Sequence, residues 1–144
     1  EFRRVLFRSE GGVHMAMVMG DIRRDEPTLV RVHNPDPLRD LLQVNQPGRW
    51  SLRAAMTKVA EAGSGVVLLL GHQIGGDDLL AHVREIASAP APAPKATTTY
   101  STVGAGSQIL RDLGVRKMRL LSAPMRFNAI SGFDLEVVEY LPAE

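Results

Sequence analysis

Gly65 to Leu70 (GVVLLL) is an unbroken apolar run of strand length, with no polar side chain to turn toward water on either side. Strand side chains alternate between faces, so a run like this belongs in a sheet covered on both faces. The residues around it supply the covering helices. Ser51 is a helix cap, and behind it Leu52, Ala55, Met56 and Val59 recur at helical spacings until Gly63 ends the pattern. Asp77 or Asp78 opens a second helix, with Leu79, Leu80, Val83 and Ile86 expected to face inward. Gly106 to Leu113 reads as a third, stopped by Gly114 at the usual C-terminal glycine position. Pro124 begins a short helix over Met125 to Ile130, closed by Gly132. Thr28 to His33 alternates and is rich in β-branched residues, Lys117 to Ser122 is a further strand, and Phe133 to Leu141 alternates as the last. Strands interleaved with helices predict an α/β domain, and 144 residues fit one domain with a modest core.

The remaining stretches carry less pattern. Val13 to Met19 is apolar and ends at a Gly20-Asp21 turn. Asn34 to Gly48 carries Pro35, Pro37 and Pro47 and reads mostly as loop, with Leu38, Leu41 and Leu42 able to share one helical turn. Residues 87–99 (ASAPAPAPKATTT) favour extended polyproline II and predict a surface loop within the domain. The first nine residues, EFRRVLFRS, back-translate in frame to a common short-read sequencing adapter. They are read as an assembly scar, with a genuine basic amphipathic arm as the other reading, so the native domain is expected over residues 10–144. A scar at that point implies that native sequence upstream of Glu10 has been lost.

Charge narrows the partners. Seventeen basic and sixteen acidic residues leave a formal charge of +1, too balanced to call for nucleic acid or a membrane surface. Val66 to Leu70 is the longest aliphatic run, far short of the roughly 20 residues of a spanning helix, and no signal peptide is visible, so the cytoplasm is the expected location. There is no cysteine, which removes disulfides, thiolate nucleophiles and cysteine-held zinc together.

From Gly104 to Leu141 the chain carries Gly104, Gly106, the block Gln108-Ile-Leu-Arg-Asp-Leu-Gly-Val115, Arg119-Leu-Leu121 and Leu135-Glu-Val-Val-Glu139. In these residues it resembles GTP cyclohydrolase II, an enzyme of riboflavin biosynthesis. Upstream, Gly20-Asp-Ile, Leu29-Val-Arg-Val-His33 and Gly65-Val-Val-Leu68 follow in the family order. The resemblance implies a single cyclohydrolase II-like domain with a mixed sheet and flanking helices. It also implies a zinc-activated water that opens the guanine imidazole ring, with the metal held by three cysteines on the segment after the Arg-Val-His strand. Here that segment, Asn34 to Trp50, has no cysteine and no histidine, and Asp36 and Asp40 are its only carboxylates.

The other functional motifs are also altered. Where the family has Arg-Gln-Glu-Gly-Arg-Gly, this chain has Gly71-His-Gln-Ile-Gly-Gly76. Thr99 and Ser101 stand at the places of an Asp-x-Arg pair, and neither replaces a carboxylate or guanidinium at neutral pH. The family's Thr-Asn-Asn-Pro-x-Lys turn is Ser122-Ala-Pro-Met-Arg-Phe127, with Phe127 in place of the lysine.

What survives of the implied nucleotide site is Arg31, Val32, His33 and Ser122. Read alone, Arg31 is a strand-surface residue and His33 a polar residue at a strand end. His14 carries no signal, His72 and His82 have no supporting ligand motif, and Trp50 is expected to pack beside the Ser51 helix.

In the family such domains follow a 3,4-dihydroxy-2-butanone 4-phosphate synthase domain. The resemblance therefore points to a degenerate cyclohydrolase-like domain with no catalytic residue and no metal of its own. An upstream synthase domain and a homodimer are its partners, and magnesium belongs only to the synthase part. Two alternatives remain: a non-catalytic nucleotide sensor using Arg31, His33 and Ser122, and an enzyme with an altered magnesium site built from Asp36, Asp40, Asp77 or Asp78.

Overall fold

The computed structural model describes residues 1–9, 12–71, 80, 83–84, 87, 100–124 and 134–143. Among them run β1 (Arg3–Ser9), β2 (Gly12–Met19), β3 (Thr28–His33), α1 (Pro37–Asp40), α2 (Leu52–Ala62), β4 (Gly65–Leu69), α3 (Tyr100–Asp112), β5 (Lys117–Leu120) and β6 (Glu136–Tyr140). The strands form one six-stranded sheet in the order β1-β2-β4-β3-β5-β6. β1, β2 and β4 pair antiparallel, whereas β4, β3, β5 and β6 run parallel, so the sheet is mixed.

Alternation along the central strands divides the core into two layers. Val30 of β3 and Val66 and Leu68 of β4 join Ile109 and Leu110 of α3 with Met118 and Leu120 of β5. On the opposite face, Leu29 and Val67 join Ala55 and Val59 of α2 with Leu121 and Met17. β4 thus buries both its faces, and Val66, Val67 and Leu68 are completely enclosed. Burying one such aliphatic side chain contributes about 1.5–3 kcal/mol.

Local chemistry sets the ends of α2. Ser51 Oγ accepts from the Ala54 N–H, and Gly63 closes the helix in the left-handed region at φ +79°. Gly65 opens β4 at φ +152°, where a Cβ would stand 2.6 Å from the Leu29 carbonyl oxygen and 3.1 Å from Val59. Only glycine lets β4 enter so close beneath β3 and α2.

Two expectations need correction. Leu80 and Val83, expected inward, are helical but 56% and 42% exposed, because the apolar spacing there does not face this core. α3 starts at Tyr100, earlier than the Gly106 start read from its glycines. The helical turn expected at Leu38, Leu41 and Leu42 is present, with Leu38 in α1 and the Leu41 and Leu42 N–H groups both donating to the Pro37 carbonyl, and Leu41 and Leu42 stand 77% and 70% exposed. Residues 1–9, read above as a scar, contribute β1, whose Val5 and Phe7 alternate toward the core. Strand pairing rests on backbone groups and alternation, which this segment supplies whatever its origin. The helix start at Asp77–Asp78, the Gly-rich residues 72–76, residues 88–99 of the Ala-Pro stretch and the short helix after Pro124 lie outside the described residues.

Candidate functional site

β3 turns Leu29, Arg31 and His33 toward the α2 face and Val30 and Val32 toward α3. That alternation brings two of the expected site residues together and parts them from a third. Arg31 Nε donates to His33 Nδ1 at 3.2 Å, and Arg31 Nη1 donates to the Leu121 carbonyl at 2.8 Å. Its Nη2 lies 3.5 Å from the Trp50 carbonyl. Val32 packs on the α3 side, against the opposite core layer. Ser122 follows Leu121 beyond β5, but its hydroxyl donates to the Ala123 carbonyl at 2.9 Å.

The segment leaving β3 folds back over His33. Asp36 caps α1 by accepting the Leu38 N–H, and Pro37 occupies the first turn, where its missing N–H costs nothing. One turn later Asp40 comes within 2.8 Å of His33 Nε2. Its Oδ2 also accepts the Asp36 N–H at 2.9 Å, and its Oδ1 accepts the N–H of Leu52, the first residue of α2, at 2.9 Å. Arg39, beside it, donates to the Asn34 carbonyl at 2.8 Å and lies 3.4 Å from Asp40 Oδ2. Trp50 packs against the α2-side core as expected, and its indole N–H donates to the Leu141 carbonyl at 2.9 Å.

Proton bookkeeping assigns the imidazole. A guanidinium has no acceptor, so His33 Nδ1 accepts from Arg31, and the ring hydrogen sits on Nε2, where the Asp40 carboxylate at 2.8 Å outweighs the Arg39 Nη2 donor at 3.4 Å. His33 is therefore a neutral, fully buried donor. Burial holds its pKa below 6.5; the bond to Asp40 opposes that, while the Arg31 and Arg39 charges reinforce it. Burial alone would raise the Asp40 carboxyl, yet the N–H groups of Asp36 and Leu52 and the His33 ring bring it down to about 2. Arg31 is lowered to about 10, first by burial and then by Arg39, and stays charged at neutral pH.

The Asn34–Trp50 segment offers no thiolate or imidazole. Both Asp40 oxygens already accept N–H donors, and the Asp36 carboxylate takes Leu38 N–H and lies 3.3 Å from Gln46 Nε2. The donor set does not fit a zinc ion. Among the described residues no group of three or more His, Cys, Asp or Glu is placed to hold any metal.

The family model described as GTP cyclohydrolase II matches residues 1–142. The chain belongs to the GTP cyclohydrolase II family. A 3,4-dihydroxy-2-butanone 4-phosphate synthase of Pseudomonas aeruginosa is 92% identical over 135 residues, which cover 94% of this chain and 37% of that protein. The riboflavin biosynthesis protein RibBA of Aquifex aeolicus is 36% identical over 146 residues, covering 92% of this chain and 35% of its own length. Among solved structures, the two-domain synthase RibBX from A. baumannii superposes with a TM-score of 0.59 at 35% identity, over all of this chain and 40% of that one. The chain thus spans little more than a third of the curated relatives it matches. Among the described residues no helix is long and apolar enough to cross a membrane.

Within this cyclohydrolase II-like domain, reasoning from sequence missed Arg39 and assigned Asp40 only to a magnesium alternative. The available signal was Asp36-Pro-Leu-Arg-Asp40, a helix cap followed by an acid one turn later. His14 also carries more than was read from it: it is buried, and its Nδ1 accepts the Gly71 N–H at 3.0 Å, fixing the end of β4 against β2.

Proposed function

We propose that this domain is the structural or regulatory C-terminal part of a 3,4-dihydroxy-2-butanone 4-phosphate synthase and does not open the ring of GTP. One observation carries the reading. The segment that would bear zinc ligands instead brings Asp40 onto His33, while Arg31 spends its donors on His33, Leu121 and Trp50. Arg31 and His33, two of the four residues left from the implied nucleotide site, are thereby committed to partners within the chain. The synthase named in the Pseudomonas and Acinetobacter relatives supports the parent activity, and their greater length leaves room for the catalytic part. On this reading magnesium serves the synthase part alone, the protein works in the cytoplasm, and the domain assists as one half of a homodimer.

The test has two arms. The chain, incubated with GTP and either zinc or magnesium, releases no formate; release at an enzymatic rate overturns the proposal. In the Pseudomonas relative, removing the region matched by this chain lowers synthase activity or shifts its dimerisation, and no change in either removes the supporting role. Calorimetry with GTP separates the sensor alternative, which requires measurable binding.

A further inference from the structure

Arg31, His33 and Asp40 are engaged with partners inside the chain. Their arrangement also does something positive. Five separate pieces of backbone converge on them: β3 itself, the entry to α1 through the Asp36 N–H, the Asn34 carbonyl through Arg39, the first turn of α2 through the Leu52 N–H, and the end of β5 through the Leu121 carbonyl. The donors run in one direction only. A guanidinium can only donate and a carboxylate can only accept, so one tautomer of the imidazole satisfies both Arg31 and Asp40, with the Arg39 Nη2 standing off at 3.4 Å from Nε2. The charges also balance, with Arg31 and Arg39 set against Asp36 and Asp40 around a neutral ring. No outside ion is needed to complete the cluster.

We propose that this directed chain of hydrogen bonds, from Arg31 through His33 to Asp40, is a metal-independent latch that fastens the Asn34–Trp50 segment onto the sheet. Asp40 is its centre, because one carboxylate bridges β3, α1 and α2. His33 is the element that gives it direction, since adding a proton to Nδ1 would set two donors against each other and release Arg31. The groups facing His33 are Arg31 from its own strand and Arg39 and Asp40 from α1, with the α2 N–H of Leu52 acting through Asp40. The latch is a property of this fold alone and does not draw on the proposed synthase role, so either can fail without the other.

The decisive measurement needs no substitution. Long-range proton–nitrogen correlation on the ¹⁵N-labelled chain at neutral pH shows His33 protonated on Nε2 and bare on Nδ1, and dialysis against a chelator leaves that signal unchanged. A ring protonated on Nδ1, averaging between tautomers, or altered by the chelator overturns the latch. Asp40→Asn supplies a second reading. It speeds hydrogen exchange at the Asp36 and Leu52 amides by about tenfold or more, equivalent to ~1.4 kcal/mol, while Val66 to Leu68 keep their protection. Unchanged exchange at those two amides contradicts the proposal, and if the variant does not fold the tautomer of the unsubstituted chain decides.

Discussion

Replacing Asp40 with alanine puts the energetics of the site to a direct test. The substitution removes the acceptor from three donors at once: the His33 ring, the Asp36 N–H and the Leu52 N–H. A buried donor left without a partner costs about 1–3 kcal/mol. The three do not count equally. His33 is fully enclosed and cannot recover water, whereas the Asp40 side chain retains 8% exposure, so its outer donors regain part of their solvation. Arg39 adds little, because at 3.4 Å its ion pair with Asp40 is long and its own strongest bond goes to the Asn34 carbonyl. The expected loss is therefore about 3–5 kcal/mol, about 2–3 from the enclosed His33 donor and about 1 from each of the two backbone donors. Against a total stability of about 5–15 kcal/mol this is a large fraction. Urea unfolding followed by circular dichroism, with Trp50 fluorescence as a second probe, measures it as a lowered midpoint at unchanged slope. A loss below about 1 kcal/mol would show that water already serves these donors and would refute the accounting.

Other perturbations test separate parts of the structure. Acidification weakens the fold in two steps. Because His33 sits below its ordinary 6.5, the unfolded chain binds that proton first and stability falls as pH drops through 6.5. Asp40, held at about 2 against 3.8, contributes fully above 3.8 and loses its contribution as pH falls toward 2. Thermal melts between pH 7 and 2 show both steps, His33→Gln removes the first, and a melting temperature that stays flat from pH 7 to 5 contradicts the burial of a neutral His33. Leu68→Ala, in the doubly covered strand, costs about 2–5 kcal/mol in denaturant unfolding, and a smaller loss would mean that β4 is less enclosed than described. Gly65→Ala forces a Cβ against the Leu29 carbonyl in a backbone region side chains avoid, and lowers the melting temperature by more than Gly48→Ala, whose surroundings are open. Trp50→Phe keeps the ring but leaves the Leu141 carbonyl without its donor, at a cost of about 1 kcal/mol in the same unfolding assay.

The parts of this fold legible in the sequence are those specified by neighbours along the chain. Ser51 and Gly63 mark both ends of α2 because capping is local, and the β3 and β4 runs announce themselves by β-branched content and continuity. α3 was harder. The helix is legible from Gly106 onward, but Gly104 weakens the preceding turn on propensity, and α3 nevertheless starts at Tyr100, with Gly106 buried where Leu68 and Val32 lie close. Leu80 and Val83 show the converse, a helical spacing whose apolar residues face away from this core. At the site, Arg31 and His33 were visible as members of one strand face. Their partners were not, because Asp40, Trp50 and Leu121 reach them only after a proline-bearing segment folds back and a strand far along the chain arrives.

The sheet order also carries a consequence for how the chain comes together in time. β1 and β2 lie next to each other in sequence and can close as a hairpin, but β3 is made early and is flanked by β4 on one side and by the much later β5 on the other. Until residues near 118 emerge from the ribosome, one edge of Thr28–His33 has no strand to pair with, and its valines and leucine stand uncovered. Long-range parallel pairing of this kind is slow, and such an unfinished edge attracts other chains. Arg31 and His33 sit on that waiting strand, where charged and polar side chains on one face make it a poorer template for a second copy than an all-aliphatic strand would be.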